Sequence, residues 1–249
     1  MKRNDGGRDI GRLRTECGAV DFIRVFLILT VVLTGFIIVN SDFFLVRHVK
    51  VQHNREVTEE EIVLASGLDR RQTVFEVKPE AVAAQIEKNP MIRRARVQVR
   101  PPDTVQITVE ERVPLVWIAY HQQYICVAED GVILAGPGPR SGYKLPVVTG
   151  YALANPEPGQ KLDDGKFGDI LKIMALMDQT LREMTTEIDI RNYRLYLRTP
   201  SSARIPADLG NPEKLEAKIV NLRAIIGHEK FHEFKAINLR VPDIPTVSH

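Results

Sequence analysis

Cysteine is nearly absent. Cys17 and Cys126 are the only two in 249 residues, too few for a disulfide-stapled scaffold or a cysteine-rich zinc module. Neither sign of charge is in excess. A net charge of +2 leaves no electrostatic footprint for a polyanion, and no nucleic-acid partner is expected. Glycine (16) and proline (15) stand at average usage, which excludes collagen-like and low-complexity chains. The sequences G-x-S-x-G, G-x-x-x-x-G-K-[ST] and G-x-G-x-x-G do not occur, and the acids show no pattern that isolates a general acid/base pair. No cofactor is expected, and the chain is long enough for one large domain or two small ones.

One long hydrophobic run organises the rest. Val25–Ser41 (VFLILTVVLTGFIIVNS) carries no charge, and as a helix it spans about 25 Å, near the lower limit for a bilayer core. Lys2, Arg3, Arg8, Arg12, Arg14 and Arg24 precede it, while the nearest following bases are Arg47 and Lys50. That asymmetry keeps the N-terminus in the cytoplasm, and Phe43 and Phe44 suit the far interface. A cleaved signal peptide is the rival reading. Against it, the basic region is long and mixed with Asp5, Asp9, Glu16 and Asp21, and VNSDFF offers no small-x-small cleavage site. The expectation is a cytoplasmic tail (1–24), a transmembrane helix (25–41) and the remaining chain outside the cytoplasm. Cys17 lies near the membrane and is expected to be a free thiol rather than acylated.

Residues 45–113 read as strand, helix, helix, strand, strand. Leu45–Val51 alternates apolar and polar. Thr58 with Glu61 forms a capping box, Val57 and Ile62 stand where a hydrophobic staple would, and Gly67 closes the first helix. Pro79 opens a second helix, which Asn89-Pro90 stops. Ala95, Val97 and Val99 alternate with Arg94, Arg96, Gln98 and Arg100. Val105, Ile107 and Val109 alternate likewise after Pro101-Pro102-Asp103, and pairing Val97 with Ile107 would set Arg94 opposite Glu110. The arginines read as a solvated strand face.

These segments carry a family resemblance. FFLVRHVKVQHNREVTEEEI, then TVFEVKPEAVAAQIEKNPMIRRARVQVRPPDTVQITVEERVPLVWI, resemble the POTRA domain of the FtsQ/DivIB family of bacterial division proteins. The stretch from Asn89-Pro90 to Glu111-Arg112-Val113-Pro114 is the most specific part.

After Pro114 the pattern turns strand-rich, with candidates at Leu115–Ala119, Tyr124–Val127 and Val132–Leu134, a loop at Gly136–Gly142, and Leu145–Gly150 beyond it. Phe167, Ile170, Leu171, Met174 and Leu181 fall on one helical face. Ile188, Ile190, Leu195 and Leu197 suggest a hairpin. Asn211 and Pro212 would begin a last helix that Gly227 ends, and Phe234–Val241 is the last strand. VAEDGVIL, KLPVVTG and INLRVPD resemble the β domain of the same family. The fold class expected is therefore α+β: one N-terminal transmembrane helix, a POTRA domain (45–113), a β-rich domain with two helices (114–241) and a C-terminal tail (242–249). Any strand in that tail must be short, such as Thr246–Val247.

The resemblance implies a non-enzymatic component of the cytoplasmic-membrane division machinery. It would join FtsB and FtsL at the septum and help control septal peptidoglycan synthesis. It also implies that FtsB docks on the C-terminal edge, carried here by Asn238, Leu239, Arg240 and Val241. Two other readings remain. His228-Glu229-Lys230-Phe231-His232 matches the zinc motif H-E-x-x-H, which would suit a membrane-anchored hydrolase. However, Gly227 precedes it and no third histidine stands at the extended-motif spacing, so no metal is expected. A POTRA-type outer-membrane transport factor is the other, and about 130 residues after Pro114 leave little room for a barrel. The topology predicts that a reporter active only outside the cytoplasm, fused after His249, will be active, and that terminal sequencing of the mature protein will not begin near Asp42.

Overall fold

The computed structural model describes residues 13–39, 41–199, 204–229 and 231–248. Expectations resting on Lys2, Arg3, Asp5, Arg8, Asp9 and Arg12, on the Cys17 and His232 side chains, and on Lys230 and His249 lie outside the described residues. Contacts divide the chain into two compact units. One comprises Met1–His53, Thr58–Gln85 and Arg96–Thr108; the other comprises Asn54–Val57, Ile86–Ala95 and Val109–His249.

Helix α1 runs over Leu13–Val39, beginning well before the expected Val25. Ser41, read from the sequence as part of the span, stands after the helix and precedes a 3-10 turn at Asp42–Phe44. Its described apolar side chains, from Phe22 to Ile37, are exposed all round. They cover roughly 24 Å of helix, short of the ~30 Å of a hydrocarbon core. Among the described residues, no helix is long and apolar enough to cross a membrane.

The next elements follow the expected order: β1 (His48–Gln52), α2 (Glu59–Ser66), α3 (Pro79–Ile86), β2 (Ile92–Arg100) and β3 (Thr104–Glu111). They form a three-stranded sheet in the order β1-β3-β2, with β1 parallel to β3 and Val51 level with Ile107. The capping box is present, since Glu61 N–H donates to Thr58 Oγ1 and Thr58 N–H to the Glu61 carboxylate. Gly67 at φ 63° closes α2 in the left-handed region, where glycine has no Cβ penalty. Glu110 meets Arg93 at 3.4 Å rather than the Arg94 expected from the pairing.

The remaining strands are β4 (Pro114–Tyr120), β5 (Gln123–Ala128), β6 (Ile133–Gly138), β7 (Val147–Thr149), β8 (Thr185–Asp189), β9 (Arg194–Arg198), β10 (Arg204–Asp208), β11 (Ala236–Asn238) and β12 (Thr246–Ser248). They make a nine-stranded sheet in the order β12-β11-β10-β9-β8-β7-β4-β5-β6. Gly136–Gly138, expected as loop, belongs to β6.

Three helices accompany this sheet, where the sequence suggested two. The apolar stripe from Phe167 to Leu181 is split into α4 (Gly165–Leu176) and α5 (Gln179–Met184). Met177 is extended, and Asp178 accepts the Leu181 N–H to cap a new helix, so the periodicity survives while the backbone breaks. The last helix, α6 (Leu215–Ile226), starts after Asn211 and Pro212, with Lys214 before it at φ 50°. Asn211 does not cap it; its Oδ1 accepts from Glu213 N–H and Lys218 Nζ instead. Phe167, Ile170, Ile173, Leu181, Ile219 and Leu222 pack with Ile118, Ile125, Val148, Ile188, Leu195 and Ile237 in one core.

Arg112, from the expected Glu-Arg-Val-Pro stretch, fills a local demand for donors. Its guanidinium donates to the Pro90 and Ile92 carbonyls at 2.8 and 2.7 Å and to Asp130 at 2.8 Å, with 16% of its side chain exposed. Replacing it by alanine leaves those carbonyls without a donor. Arg112→Ala is expected to cost about 2 kcal/mol or more in urea unfolding, and Arg112→Lys most of that, because an ammonium lacks the planar fork.

Candidate functional site

The residues implied for partner binding gather around the end of β11. Ile237 and Leu239 are buried, Asn238 and Arg240 face solvent, and Val241 is 54% exposed. Unbroken alternation from Ile237 and Leu239 would turn Val241 inward as well. The ladder is shorter than the expected Phe234–Val241, and the side chain turns out where it ends.

β11 is not the outermost strand. β10 runs parallel on one side, with Ala207 level with Ile237, and β12 runs antiparallel on the other, with Ile237 level with Val247. The Leu239 N–H donates to the Asp208 carbonyl at 2.8 Å, so odd-numbered backbone groups of β11 face β10 and Asn238 faces β12. Lys235 N–H donates to the Ser248 carbonyl at 2.8 Å, which turns Ser248 towards β11. Alternation then aims the Val247 N–H and carbonyl away from the sheet. Among the described residues, the order of strands leaves nothing paired beyond β12. The pairing of this segment confirms that a strand forms at Thr246, within what the sequence marked as tail.

The two ends of the sheet differ. At the β6 end, Ile133 donates to the Gln160 carbonyl at 2.9 Å and accepts from Gly159 N–H at 2.8 Å, and Pro137 contributes no donor. That edge is covered or blunted, whereas among the described residues nothing covers β12 and no proline stands within it.

Asp208 ties the β12 end together. Its Oδ2 takes Arg240 at 3.0 Å and Arg194 at 3.2 Å, and its Oδ1 takes the Gly210 N–H at 2.9 Å. Burial alone would raise its pKa. The hydrogen bonds from Arg240, Arg194 and the Gly210 N–H, with the charge of Arg240, outweigh that and hold it below the ordinary carboxylate value. Gly210, at φ 74°, lies where a Cβ would approach Arg240 Cγ to 2.7 Å, so the arginine lies flat against the turn. Lys218 is buried beneath, 1% exposed, and its Nζ donates to the Leu209 and Asn211 carbonyls and to Asn211 Oδ1 at 2.7, 3.1 and 2.7 Å. Desolvation pulls its pKa below the usual lysine value.

Sequence reading missed Asp208, Gly210 and Lys218. Lys218 had a visible signal, since it stands three residues after Leu215 on the apolar side of the last helix. Asp208 had none, because its partners are 14 and 32 positions away. On one flank of β12 lies a concavity of mixed lining, with Arg194, Asp208, Asn238 and Arg240 beside Pro206, Ala236, Ile237 and Val247. On the other lies an apolar groove that includes Ile225, His228, Phe234, Pro245 and Val247.

The H-E-x-x-H stretch does not form a helix. Helix α6 stops at Ile226, His228 and Glu229 lie in a turn, and Phe231–Glu233 is a separate 3-10 turn. Among the described residues, no three histidine, cysteine, aspartate or glutamate side chains converge as a metal site. Cys126 is buried in β5, and desolvation raises its thiol pKa to about 11, which leaves it inert as a nucleophile.

Comparison with known proteins bears on the whole chain. The family model for the POTRA domain, FtsQ-type, matches residues 44–112. Over 74 residues the chain is 42% identical to the cell division protein FtsQ of Syntrophotalea carbinolica, a match covering 30% of this chain and 26% of that protein. It is 23% identical to FtsQ of Mycobacteroides abscessus over 242 residues, 97% of this chain and 73% of that one. Against the major extracytoplasmic domain of the division protein DivIB from Geobacillus stearothermophilus, identity is 13% and the TM-score 0.32, covering 47% of this chain and 92% of that domain. The chain thus spans about a quarter of the length of the first relative.

The ion cluster makes a testable pH statement. A carboxylate held below its ordinary pKa of about 3.9 stabilises the fold above that value and loses the contribution as pH falls through the lowered one. The melting-temperature gap between the wild-type protein and Asp208→Asn should therefore be full at neutral pH and should close only below about pH 4.

The relatives' names support a role in cell division; residues 44–112 are a POTRA domain of the FtsQ type, and the chain resembles the FtsQ/DivIB cell-division proteins.

Proposed function

We propose that the chain is a single-pass component of the bacterial cytoplasmic membrane, with its N-terminus in the cytoplasm and its folded units outside, that works at the division septum. It binds FtsB and FtsL and, through them, recruits and regulates septal peptidoglycan synthesis without catalysing a reaction itself. The uncharged run from Val25, the basic residues before it and the exposed apolar surface of α1 support the membrane anchor. In this reading the tail occupies 1–24, the anchor 25–41, the POTRA domain 45–113 and the β domain 114–241.

The observation that carries the partner reading is the asymmetry of the nine-stranded sheet: one edge covered, the other open at β12. An unpaired edge offers backbone donors and acceptors in a row, which an extended partner segment can continue. Asn238, Leu239, Arg240 and Val241 belong to the proposed site in two ways. Asn238 pairs with Thr246 of β12 while Leu239 ties the end of β11 to β10, and Arg240 and Val241 present a charge and an apolar contact beside them. FtsB pairs on the backbone of Thr246–Ser248, and FtsL joins through FtsB.

Val247→Pro tests this directly. The Val247 N–H points away from β11, so proline there removes a donor from the free edge without deleting a ladder bond, a position at which edge strands tolerate it. Capture of purified FtsB should weaken about tenfold or more, whereas Val247→Ala should change it little. Asn238→Pro should also reduce capture, by loosening β12 from within. If Val247→Pro protein with an unchanged circular dichroism spectrum binds FtsB at wild-type affinity, the edge assignment is wrong. The exposed arginines of β2, Arg94, Arg96 and Arg100, then become the surface to mutate.

A further inference from the structure

The segment between α2 and α3 has a shape that the division role does not explain. Residues 69–78 are bound back to the chain just after α1: Val46 N–H donates to the Gln72 carbonyl at 3.0 Å, and Val74 N–H to the Phe44 carbonyl at 2.8 Å. Thr73 is locked by its own turn, since its N–H and hydroxyl donate to the Glu76 carboxylate at 2.7 and 3.1 Å and its carbonyl accepts the Glu76 N–H. The tip of that turn is Phe75, 52% exposed. Its ring lies 5.0 Å from that of Phe44, which lies 5.1 Å from Phe43, itself 62% exposed. Three phenylalanines in contact, two of them facing water on a hydrogen-bonded turn, form an apolar patch held out by design rather than left over from the core.

The chain length says what covers it. Phe43 follows Val39, the last residue of α1, by four positions, so it lies within about 14 Å of the helix end along a fully extended chain. The headgroup layer beyond each side of a hydrocarbon core is roughly 5–8 Å deep. With α1 in a bilayer, the Phe43–Phe44–Phe75 cluster has the reach to enter the interface, where aromatic rings are favoured. The adjoining charges suit an anionic surface. Arg70, Arg71 and Lys78 make no ion pair among the described residues, and Arg47 is occupied only by the Asp42 carbonyl. Of the nearby acids, Glu76 is turned onto Thr73 and Asp69 accepts the Arg71 N–H, which leaves exposed Asp42, beside Phe43, as a single negative charge against Arg47, Arg70, Arg71 and Lys78.

We propose that this turn is a second membrane contact: Phe43 and Phe75 enter the headgroup region of an anionic bilayer, Arg70 and Arg71 bind its phosphates, and the POTRA unit is thereby held against the membrane instead of swinging on a single tether. The proposal rests on the reading of α1 as a membrane anchor, and the experiment separates the two.

The full chain is reconstituted into vesicles of phosphatidylethanolamine and phosphatidylglycerol containing quenchers attached either at the headgroup or deep on the acyl chain. Buried Trp117, the single native tryptophan, sets the baseline. Val32→Trp reports on α1, and Phe75→Trp on the turn, with Phe43→Trp as a second reporter should Phe75→Trp fail to fold. Expected are loss of most of the Val32→Trp emission to the deep quencher and most of the added Phe75→Trp emission to the headgroup quencher. The second loss should fall towards baseline in Arg70→Glu/Arg71→Glu protein. Quenching of Val32→Trp with Phe75→Trp and Phe43→Trp at baseline overturns the proposal and leaves the anchor standing. Both sites at baseline overturn the anchor and the proposal with it. Equal quenching in purely zwitterionic vesicles, unaffected by charge reversal, overturns the anionic recognition.

Discussion

Burial of one face of the nine-stranded sheet under α4, α5 and α6 is the constraint on which the rest of this molecule depends. The strands present Val116, Ile118, Ile125, Val148, Ile188, Leu195 and Ile237 to that side, and a one-position slip would exchange the two faces. The opposite face is apolar at one end, where Trp117, Cys126, Ala128, Leu134 and Val147 form a second buried cluster, and polar across β8 to β10, where side chains that water can reach link the strands. Arg204 lies over the Tyr196 ring at 3.8 Å and pairs with Glu187, while Thr149 donates to the same glutamate. Exposed pairs of this kind contribute little to stability. What they do is keep that part of the outer face hydrophilic.

The same constraint determines where an edge is left. Helix α6 carries the chain from β10 across the core and returns it as β11 parallel to β10, since a parallel neighbour requires a crossover. The end of that crossover is where polar groups accumulate. Lys218 would be costly to bury alone and is tolerated because three oxygens surround its ammonium. Those oxygens belong to the turn that contains Gly210, which in turn gives Arg240 room to reach Asp208. A buried cation in α6 therefore shapes the surface beside the proposed docking strand.

Much of this was legible from local chemistry. Thr58 with Glu61, Gly67 and Pro79 mark helix ends through bonds within a few residues, and the helices stand where those signals put them; α3 ends at Ile86, a little before Asn89-Pro90. The alternation in β2 and β3 was equally local. The zinc motif is instructive in the other direction: its residues match by type and spacing, but Gly227 ends α6 before His228, so the shared helical face that the chemistry needs does not exist.

Local sequence determined the element order, the caps, the apolar run near the N-terminus and the likeness to a known family, because each depends on interactions within one turn or one alternating strand. Tertiary structure alone decided that the stripe from Phe167 to Leu181 breaks at Asp178, that Val241 faces outward, that Asp208 joins Arg194 and Arg240, and that β12 rather than β11 is the outermost strand. Each of those outcomes depends on which distant segment supplies the partner for a backbone group or a charge. That is settled by how the sheet closes against its helices, and periodicity along the chain does not encode it.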